Sequence, residues 1–288
     1  MGRADGAALD WGRRYLLCPP QHFGVLYEIN PWMHTEHSGG VAVDTDLAVD
    51  QWEALHQTLL GAGAAVETID QPEGVPDLVF TANAGLLDAT RRRFVPSHFR
   101  HPERQPETEV FASWFTDHGW DVARLPQELD HEGAGDALPF GPAGDRVLLS
   151  GYRFRSDAPA ATELTTLLDV PVRSIELIDE RLYHLDLTFC PLDHRRAMCA
   201  PLGWDSYGRT VVESLVPEPL WLEDDEALAF CANSVVVDST VIMPSCPPRV
   251  GRILEGWGFD VAICPVDEFL KAGGGCRCLT LALDVTLG

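Results

Sequence analysis

Apolar residues along the chain first recur at helical spacing and then switch to a short alternating run, and the switch repeats. In WEALHQTLLGAGAAVETI, Trp52, Leu55, Leu59 and Leu60 share a helical face, Gly61 and Gly63 stop the helix, and Val66 and Ile69 follow on a strand. EVFASWFTDHGWDVARL repeats the scheme with Phe111, Trp114 and Phe115, a stop at Gly119, then Trp120, Val122 and Leu125. ATELTTLLDVPVRSIEL does so through Leu164, Leu167 and Leu168 with a break at Pro171, RILEGWGFDVAICPV around Gly258, and VVESLVPEPLWL in a shorter form around Pro217. Between these pairs lie β-like stretches: LVFTANAGLL, RVLLSGY, YHLDLTFCPL, RAMCAPL and NSVVVDSTVIMP.

Five copies of a strand, helix, strand unit about 45 to 55 residues apart predict a closed array around a pseudo-symmetry axis, one domain over residues 1–288. The competing architecture is a doubly wound α/β sheet, but the chain has no GxGxxG or GxxxxGK[ST] phosphate loop, which removes that fold's commonest use. With 45% apolar residues in 288, there is ample material for a core. The formal net charge of −23 repels phosphate polyanions and anionic lipid, so neither nucleic acid nor a membrane surface is an expected partner. Acidity also serves solubility, so by itself it does not identify a substrate. The opening MGRADGAALDWGRRYLL lacks the order of a signal peptide and no apolar run approaches the roughly 18 residues of a membrane span, so a soluble, cytoplasmic protein is expected. Its eight scattered cysteines should then be thiols.

Two of those thiols stand together in GGGCRCLTL, residues 273–281. A C-x-C pair is too small a set for zinc, which needs about four ligands, and His184 and His194 make no recognised spacing with it. A disulfide between residues this close is strained. Buried packing is the plain alternative, yet Gly273, Gly274 and Gly275 let the backbone approach a ligand closely, ahead of a strand-like LTLAL that would fix a thiol's position. A working thiolate also needs a base or a cation nearby.

The best base is in YHLDLTFCPL, where His184 and Asp186, two apart, would share one face of a strand. In HEGAGDAL, Glu132 and Asp136 flank a glycine-containing turn, and in DLVFTANAG, Asp77 and Asn83 would stand at the two ends of an apolar strand. Each has a plain structural alternative: a core histidine, a solvated turn, a strand-end residue.

In this order the motifs resemble the guanidino-group modifying enzymes of the pentein superfamily, which include arginine deiminases, arginine dihydrolases, dimethylarginine dimethylaminohydrolases and amidinotransferases. The resemblance spans nearly the whole chain and is carried by CPPQHFGVLYEINPWM, VPDLVFTANAG, HFRHPERQPE, EGAGDAL, GYRFRSD, YHLD and GGGCRCLTL. It implies a five-bladed α/β propeller (pentein fold) of ββαβ-type repeats around a central channel. It also implies Cys278 as nucleophile, His184 as general acid and base, and Glu132 to orient the histidine or bind guanidinium, with the choice between Glu132 and Asp136 left open. Asp186, Asp136 and Asn83 become substrate-binding candidates, as does Asn30 from INPWM. Arg155 and either Arg104 or Arg100 become candidates for an α-carboxylate, which suits arginine's bidentate fork. The expected partner is a small cationic guanidino substrate, with no metal or organic cofactor, and a homo-oligomeric assembly stays open.

Two departures refine the comparison. Asn83 stands where deiminases and many dimethylargininases carry aspartate, and EGAGD is one residue longer than the compact EGGD form. Asn83, INPWM and FTANAG resemble the arginine dihydrolase branch. An amide can bind both a guanidinium and a neutral ureido group, which suggests two successive hydrolyses, arginine to ornithine, ammonia and carbon dioxide. A dimethylargininase-like reaction is the near alternative. Amidino transfer to an amine is another, and a non-catalytic binding propeller is the reading from a different class.

Overall fold

The computed structural model describes residues 8–287. Each strand–helix–strand repeat folds as a blade. In the first, β1 (Arg14–Leu17) runs into α1 (Thr45–Gly61) and then β2 (Ala65–Thr68), which pairs parallel to β1. Asp44 caps α1 by accepting from the Leu47 backbone N–H at 3.0 Å. The second blade is β3 (Gly85–Asp88), β4 (Arg93–Pro96), α2 (Glu107–Asp117) and β5 (Asp121–Val122). The third is β6 (Ala137–Phe140), β7 (Val147–Tyr152), α3 (Ala160–Leu168) and β8 (Val172–Glu176). The fourth is β9 (Phe189–Pro191), β10 (Arg196–Cys199), α4 (Ser206–Leu215) and β11 (Glu218–Trp221), after which comes the short α5 (Asp224–Leu228). The fifth is β12 (Val235–Val237), β13 (Thr240–Met243), α6 (Pro248–Gly256) and β14 (Asp260–Ile263), followed by α7 (Asp267–Leu270) and β15 (Leu281–Ala282).

In each blade after the first, a short antiparallel pair is followed by a helix and a parallel third strand, giving five three-stranded sheets among the described residues. The first blade obtains its antiparallel strand from the far end of the chain, since β15 pairs with β1 through Tyr15–Ala282 and Leu16–Leu281. That pairing closes the ring. This is the closed array expected from the repeats and the five-bladed α/β propeller that the family resemblance implied. After α2 and α6 the chain reverses through Gly119 and Gly258, which take φ of 75° and 86°, the left-handed region that glycine adopts without a Cβ penalty. After α3 a non-glycine, Asp169, does this at φ 52°, just before Pro171.

Three β-like stretches of the sequence are shorter strands than expected. In LVFTANAGLL, Pro76–Val79 and Thr81–Ala84 are 3₁₀ turns and the strand begins only at Gly85. In YHLDLTFCPL, Leu185–Leu187 is a 3₁₀ turn and the strand is Phe189–Pro191, so His184 and Asp186 do not share a strand face. In the strand-like LTLAL only Leu281 and Ala282 are strand, so Cys278 precedes β15 by a turn. The reason is common to all three. These segments enter the strands β3, β9 and β15, which are buried along their whole length, and a tight turn there presents side chains and backbone groups inward that a strand would send to alternate faces.

The entry turns of all five blades are linked in a hydrogen-bonded ring. The Ala82 N–H donates to the Cys278 carbonyl at 3.1 Å, and Asn83 Nδ2 to the Glu132 carbonyl at 3.1 Å. Leu185 N–H donates to Asp136 Oδ1 at 3.2 Å, Asn233 Nδ2 to the Asp186 carbonyl at 3.3 Å, and Cys278 N–H to Asn233 Oδ1 at 3.2 Å. Outside the ring, apolar packing holds each helix on its sheet. Phe94 of β4 lies fully buried and stacked on Phe115 of α2, with ring centroids 3.6 Å apart. Phe94→Ala removes that contact and leaves a cavity, so urea denaturation should show a loss of about 3–5 kcal/mol of stability; a loss under about 1 kcal/mol would mean the blade repacks freely.

Candidate active site

At the ring of entry turns lies a narrow cavity lined by Cys278, His184, Asn83, Asp77, Arg104, Arg155, Asn30 and Tyr183, with Ile29, Met33, Phe80, Ala272 and Gly274. Open clefts also lie at Pro96–Gln127 and at Phe23–Val43, but neither has a cysteine in its wall. Of the residues singled out in the sequence, Cys278, His184, Asn83, Arg155, Arg104 and Asn30 therefore meet on one cavity, and Glu132, Asp136 and Asp186 stand directly behind them. Arg100 does not join them. It is a third exposed and pairs with Asp157 at 2.5 Å and Asp130 at 3.4 Å, away from the cavity. Of the two HFRHPER arginines, only Arg104 turns inward.

The thiol is held from two sides. Cys278 Sγ lies 3.3 Å from Asp186 Oδ2, to which its S–H donates, and 3.1 Å from Asn233 Nδ2. Burial pushes the thiol well above its ordinary range and the Asp186 carboxylate adds to the effect. Burial also raises Asp186, to about 7, with Arg277 opposing. The neighbouring Cys276 is a packing cysteine, fully buried with its S–H directed at the Cys264 carbonyl at 3.4 Å.

The choice left open between Glu132 and Asp136 resolves geometrically. His184 Nε2 lies 2.8 Å from Glu132 Oε2, whereas Asp136 accepts from Ser156 Oγ at 2.6 Å and from the Leu185 N–H. Burial alone would raise the Glu132 carboxyl, but Arg155, 2.9 Å away, and the His184 contact outweigh it and hold it well below the usual range. Burial lowers His184 to about 4 even though Glu132 pulls the other way. The pair is thus a neutral imidazole donating Nε2–H to a carboxylate, which leaves Nδ1 with a free lone pair.

Asn83 is fixed by both ends of its amide, Nδ2 on the Glu132 carbonyl and Oδ1 accepting from Arg104 Nη1 at 3.0 Å. One N–H and one lone pair remain for a ligand. Arg104 is in turn forked onto Glu107, with Nε and Nη2 each 2.8 Å from a carboxylate oxygen. Asn30 accepts from the Trp32 and Met33 N–H groups and donates to the Ala272 carbonyl, tying the 29–33 segment over the cavity.

Three carboxylate oxygens here, Asp77 Oδ1, Glu132 Oε1 and Asp186 Oδ1, are buried with no hydrogen-bond partner among the described residues. Unpaired buried acceptors are costly, and a planar cation rich in N–H donors would satisfy them. Among the described residues no group of three His, Cys, Asp or Glu side chains is arranged to hold a metal ion, and no helix is long and apolar enough to cross a membrane.

No protein-family model matches the chain. It is 36% identical over 273 residues to the N(G),N(G)-dimethylarginine dimethylaminohydrolase of Mycobacterium tuberculosis, covering 94% of this chain and 86% of that protein. The chain belongs to the guanidino-group modifying enzymes of the pentein superfamily. This pentein is also 44% identical over 271 residues to the bifunctional arginine dihydrolase/ornithine cyclodeaminase AgrE of Nostoc sp., matching 93% of its own length but only 37% of that longer protein. It superposes on the crystal structure of the N-terminal domain of ArgZ, an arginine dihydrolase of the cyanobacterial ornithine-ammonia cycle solved with substrate bound, at a TM-score of 0.89 and 41% identity, covering 96% of this chain and 99% of that one. A variant of the same domain has been solved covalently bound to a reaction intermediate.

Sequence reasoning passed over Asn233, Tyr183 and Glu107 in this pentein. Tyr183 stacks under Arg155 at 4.7 Å and donates to the Gly273 carbonyl at 3.0 Å. For Asn233 a signal was present, because FCAN at 230–233 repeats the FTAN of 80–83. The electrostatics make a direct prediction. The His184 ring is held neutral below its ordinary value, so stability is lost as pH falls from about 6.5 toward 4, and its Hε1 resonance should inflect near 4; an inflection at about 6.5 or above would mean that the pair is an ion pair in the free protein.

Proposed function

We propose that the chain is a cysteine-dependent hydrolase acting on the guanidino carbon of L-arginine, of the arginine dihydrolase type, with residues 1–288 acting as one catalytic unit. The observation that carries this reading is the set of three unpartnered carboxylate oxygens around a cavity whose wall holds Cys278 and His184. Kinship with AgrE and with the ArgZ domain supports arginine over other guanidines.

In this reading the guanidinium lies beside Cys278, where Asp77, Glu132 and Asp186 compensate its charge in a site too narrow for bulk water. The cation also offsets the carboxylate field that keeps the thiol protonated, so substrate binding favours the thiolate. Sulfur adds to the guanidino carbon and the thiol proton, carried by His184, leaves on ammonia. The product is a thiouronium on Cys278. His184 then takes a proton from water as it adds, and collapse returns the thiol and releases a ureido product. Arg155 and Arg104, the cations on the cavity wall, receive the α-carboxylate, with Asn30 fixing the segment above them.

Asn83 supports the second round. Its remaining N–H and lone pair can meet either the guanidinium or the ureido group, whereas an aspartate offers only acceptors at neutral pH. Addition of Cys278 to the ureido carbon releases the second ammonia, and hydrolysis of the resulting thiocarbamate leaves a carbamate that decomposes to ornithine and carbon dioxide.

Product analysis by mass spectrometry tests this. Wild-type protein should convert arginine to ornithine with two equivalents of ammonia, Cys278→Ser should lose turnover by more than about 10³-fold, and Asn83→Asp should accumulate citrulline. Citrulline as the only stable wild-type product would defeat the two-step reading, and full turnover by Cys278→Ser would remove the nucleophile.

A further inference from the structure

The phrase FTAN at 80–83 and its repeat FCAN at 230–233 fold alike, although they lie three blades apart. In each the asparagine N–H closes a turn onto the phenylalanine carbonyl, Asn83 onto Phe80 at 2.9 Å and Asn233 onto Phe230 at 3.0 Å. Each asparagine then reaches across to the entry turn of the next blade and lies against a glycine there. A Cβ on Gly135 would meet Asn83 Nδ2 at 2.2 Å, and one on Gly275 would meet Asn233 Oδ1 at 2.8 Å. The two amides are therefore equivalent by the fold's pseudo-symmetry. What differs is the group they meet. Asn83 faces the Glu132 carbonyl, whereas Asn233 faces the sulfur of Cys278.

The orientation of the Asn233 amide is forced. Its Oδ1 accepts from the Gly275 N–H at 3.0 Å and the Cys278 N–H at 3.2 Å, so that atom must be the oxygen, and Nδ2 must face the sulfur at 3.1 Å and the Asp186 carbonyl at 3.3 Å. The residue is fully buried, so water cannot replace these bonds. In the thiol state the S–H points to Asp186. Once the proton has gone, an ionised Asp186 repels the sulfur, and the Asn233 N–H is the neutral side-chain donor aimed at it.

We infer that Asn233 is a further catalytic residue, which donates a hydrogen bond to the Cys278 thiolate and, through its carbonyl oxygen, clamps the Gly275–Cys278 turn that presents it. This rests on the assignment of Cys278 as nucleophile. The donor acts where negative charge develops on sulfur, before attack and again when the covalent intermediate releases it.

The two functions of the amide separate by substitution. Asn233→Asp keeps an acceptor for both backbone N–H groups and removes the donor to sulfur; Asn233→Ala removes both. The readouts are kcat and KM for arginine, together with the pH dependence of Cys278 alkylation by iodoacetamide, followed on the Cys278 peptide by mass spectrometry. The expected result is a fall in kcat of about 10- to 100-fold in both variants, with KM within about threefold and the alkylation profile moved to higher pH by about one unit or more. If Asn233→Ala does not fold, Asn233→Asp carries the test alone. An Asn233→Asp protein that alkylates with the wild-type pH profile and turns over normally overturns the inference and leaves only the turn clamp. A Cys278→Ser protein that still hydrolyses arginine overturns it for a separate reason, by removing the nucleophile that Asn233 is said to serve.

Discussion

The site depends on the ring of hydrogen bonds that ties the five entry turns together. Each blade begins with a short buried strand, and the turn that feeds it delivers residues to the central cavity or directly behind it: Asn83 before β3, Glu132 and Asp136 before β6, His184 and Asp186 before β9, Asn233 before β12, and Cys278 before β15. The turns bond to one another from blade to blade, from Ala82 to Cys278 and back to Cys278 through Asn233. A displacement of any blade is therefore transmitted to the cavity. The last link depends on β15 pairing with β1, so the sulfur is positioned by the closure that completes the propeller.

Burial sets the chemistry of the parts. Five carboxylates, Asp77, Glu107, Glu132, Asp136 and Asp186, lie together almost completely inaccessible to solvent, with Arg104 and Arg155 as the cations that line the cavity. Desolvation raises Asp77, Asp136, Asp186 and Glu107, and only Glu132, which Arg155 and His184 both touch, is held low. Water-poor surroundings disfavour each isolated charge and strengthen each pair. In the free site burial therefore disfavours the charged forms of most of these acids, of the thiol and of the imidazole, and among the described residues the buried acids lack cationic partners beyond Arg104, Arg155 and Arg277. Under the proposed function a guanidinium supplies positive charge in a planar form whose N–H groups match the unpartnered oxygens. In that proposal recognition and activation are coupled, because the cation that satisfies the carboxylates also favours the thiolate.

The fold was legible where local physics governs. The helix stops at Gly119 and Gly258 and the switch from helical to alternating periodicity recur with each blade, and five recurrences are enough to imply a closed ring. The entry turns in LVFTANAGLL and YHLDLTFCPL were read as strands because such apolar runs satisfy strand periodicity, and only burial on every side selects the 3₁₀ turn instead. Cys278, His184, Glu132 and Asn83 were legible through the phrases that carry them. Arg100 and Arg104 were not separable, since they lie four residues apart and their directions are fixed by different carboxylates, the remote Asp157 for one and the nearby Glu107 for the other. Asn233 escaped notice because its meaning comes from pseudo-symmetry, visible only once FTAN and FCAN are seen in equivalent places.

The charge deficit of the free cavity can be measured through protons. In Cys278→Ala, which cannot react, arginine binding at about pH 6 should release protons, since the incoming cation drives carboxyls such as Asp186, at about 7 in the free protein, toward ionisation. Calorimetry in buffers of different ionisation enthalpy should register a net release that declines as the pH is raised above about 8. Zero exchange or net uptake at about pH 6 would contradict the account, for it would mean that the guanidinium is not received by the buried acids.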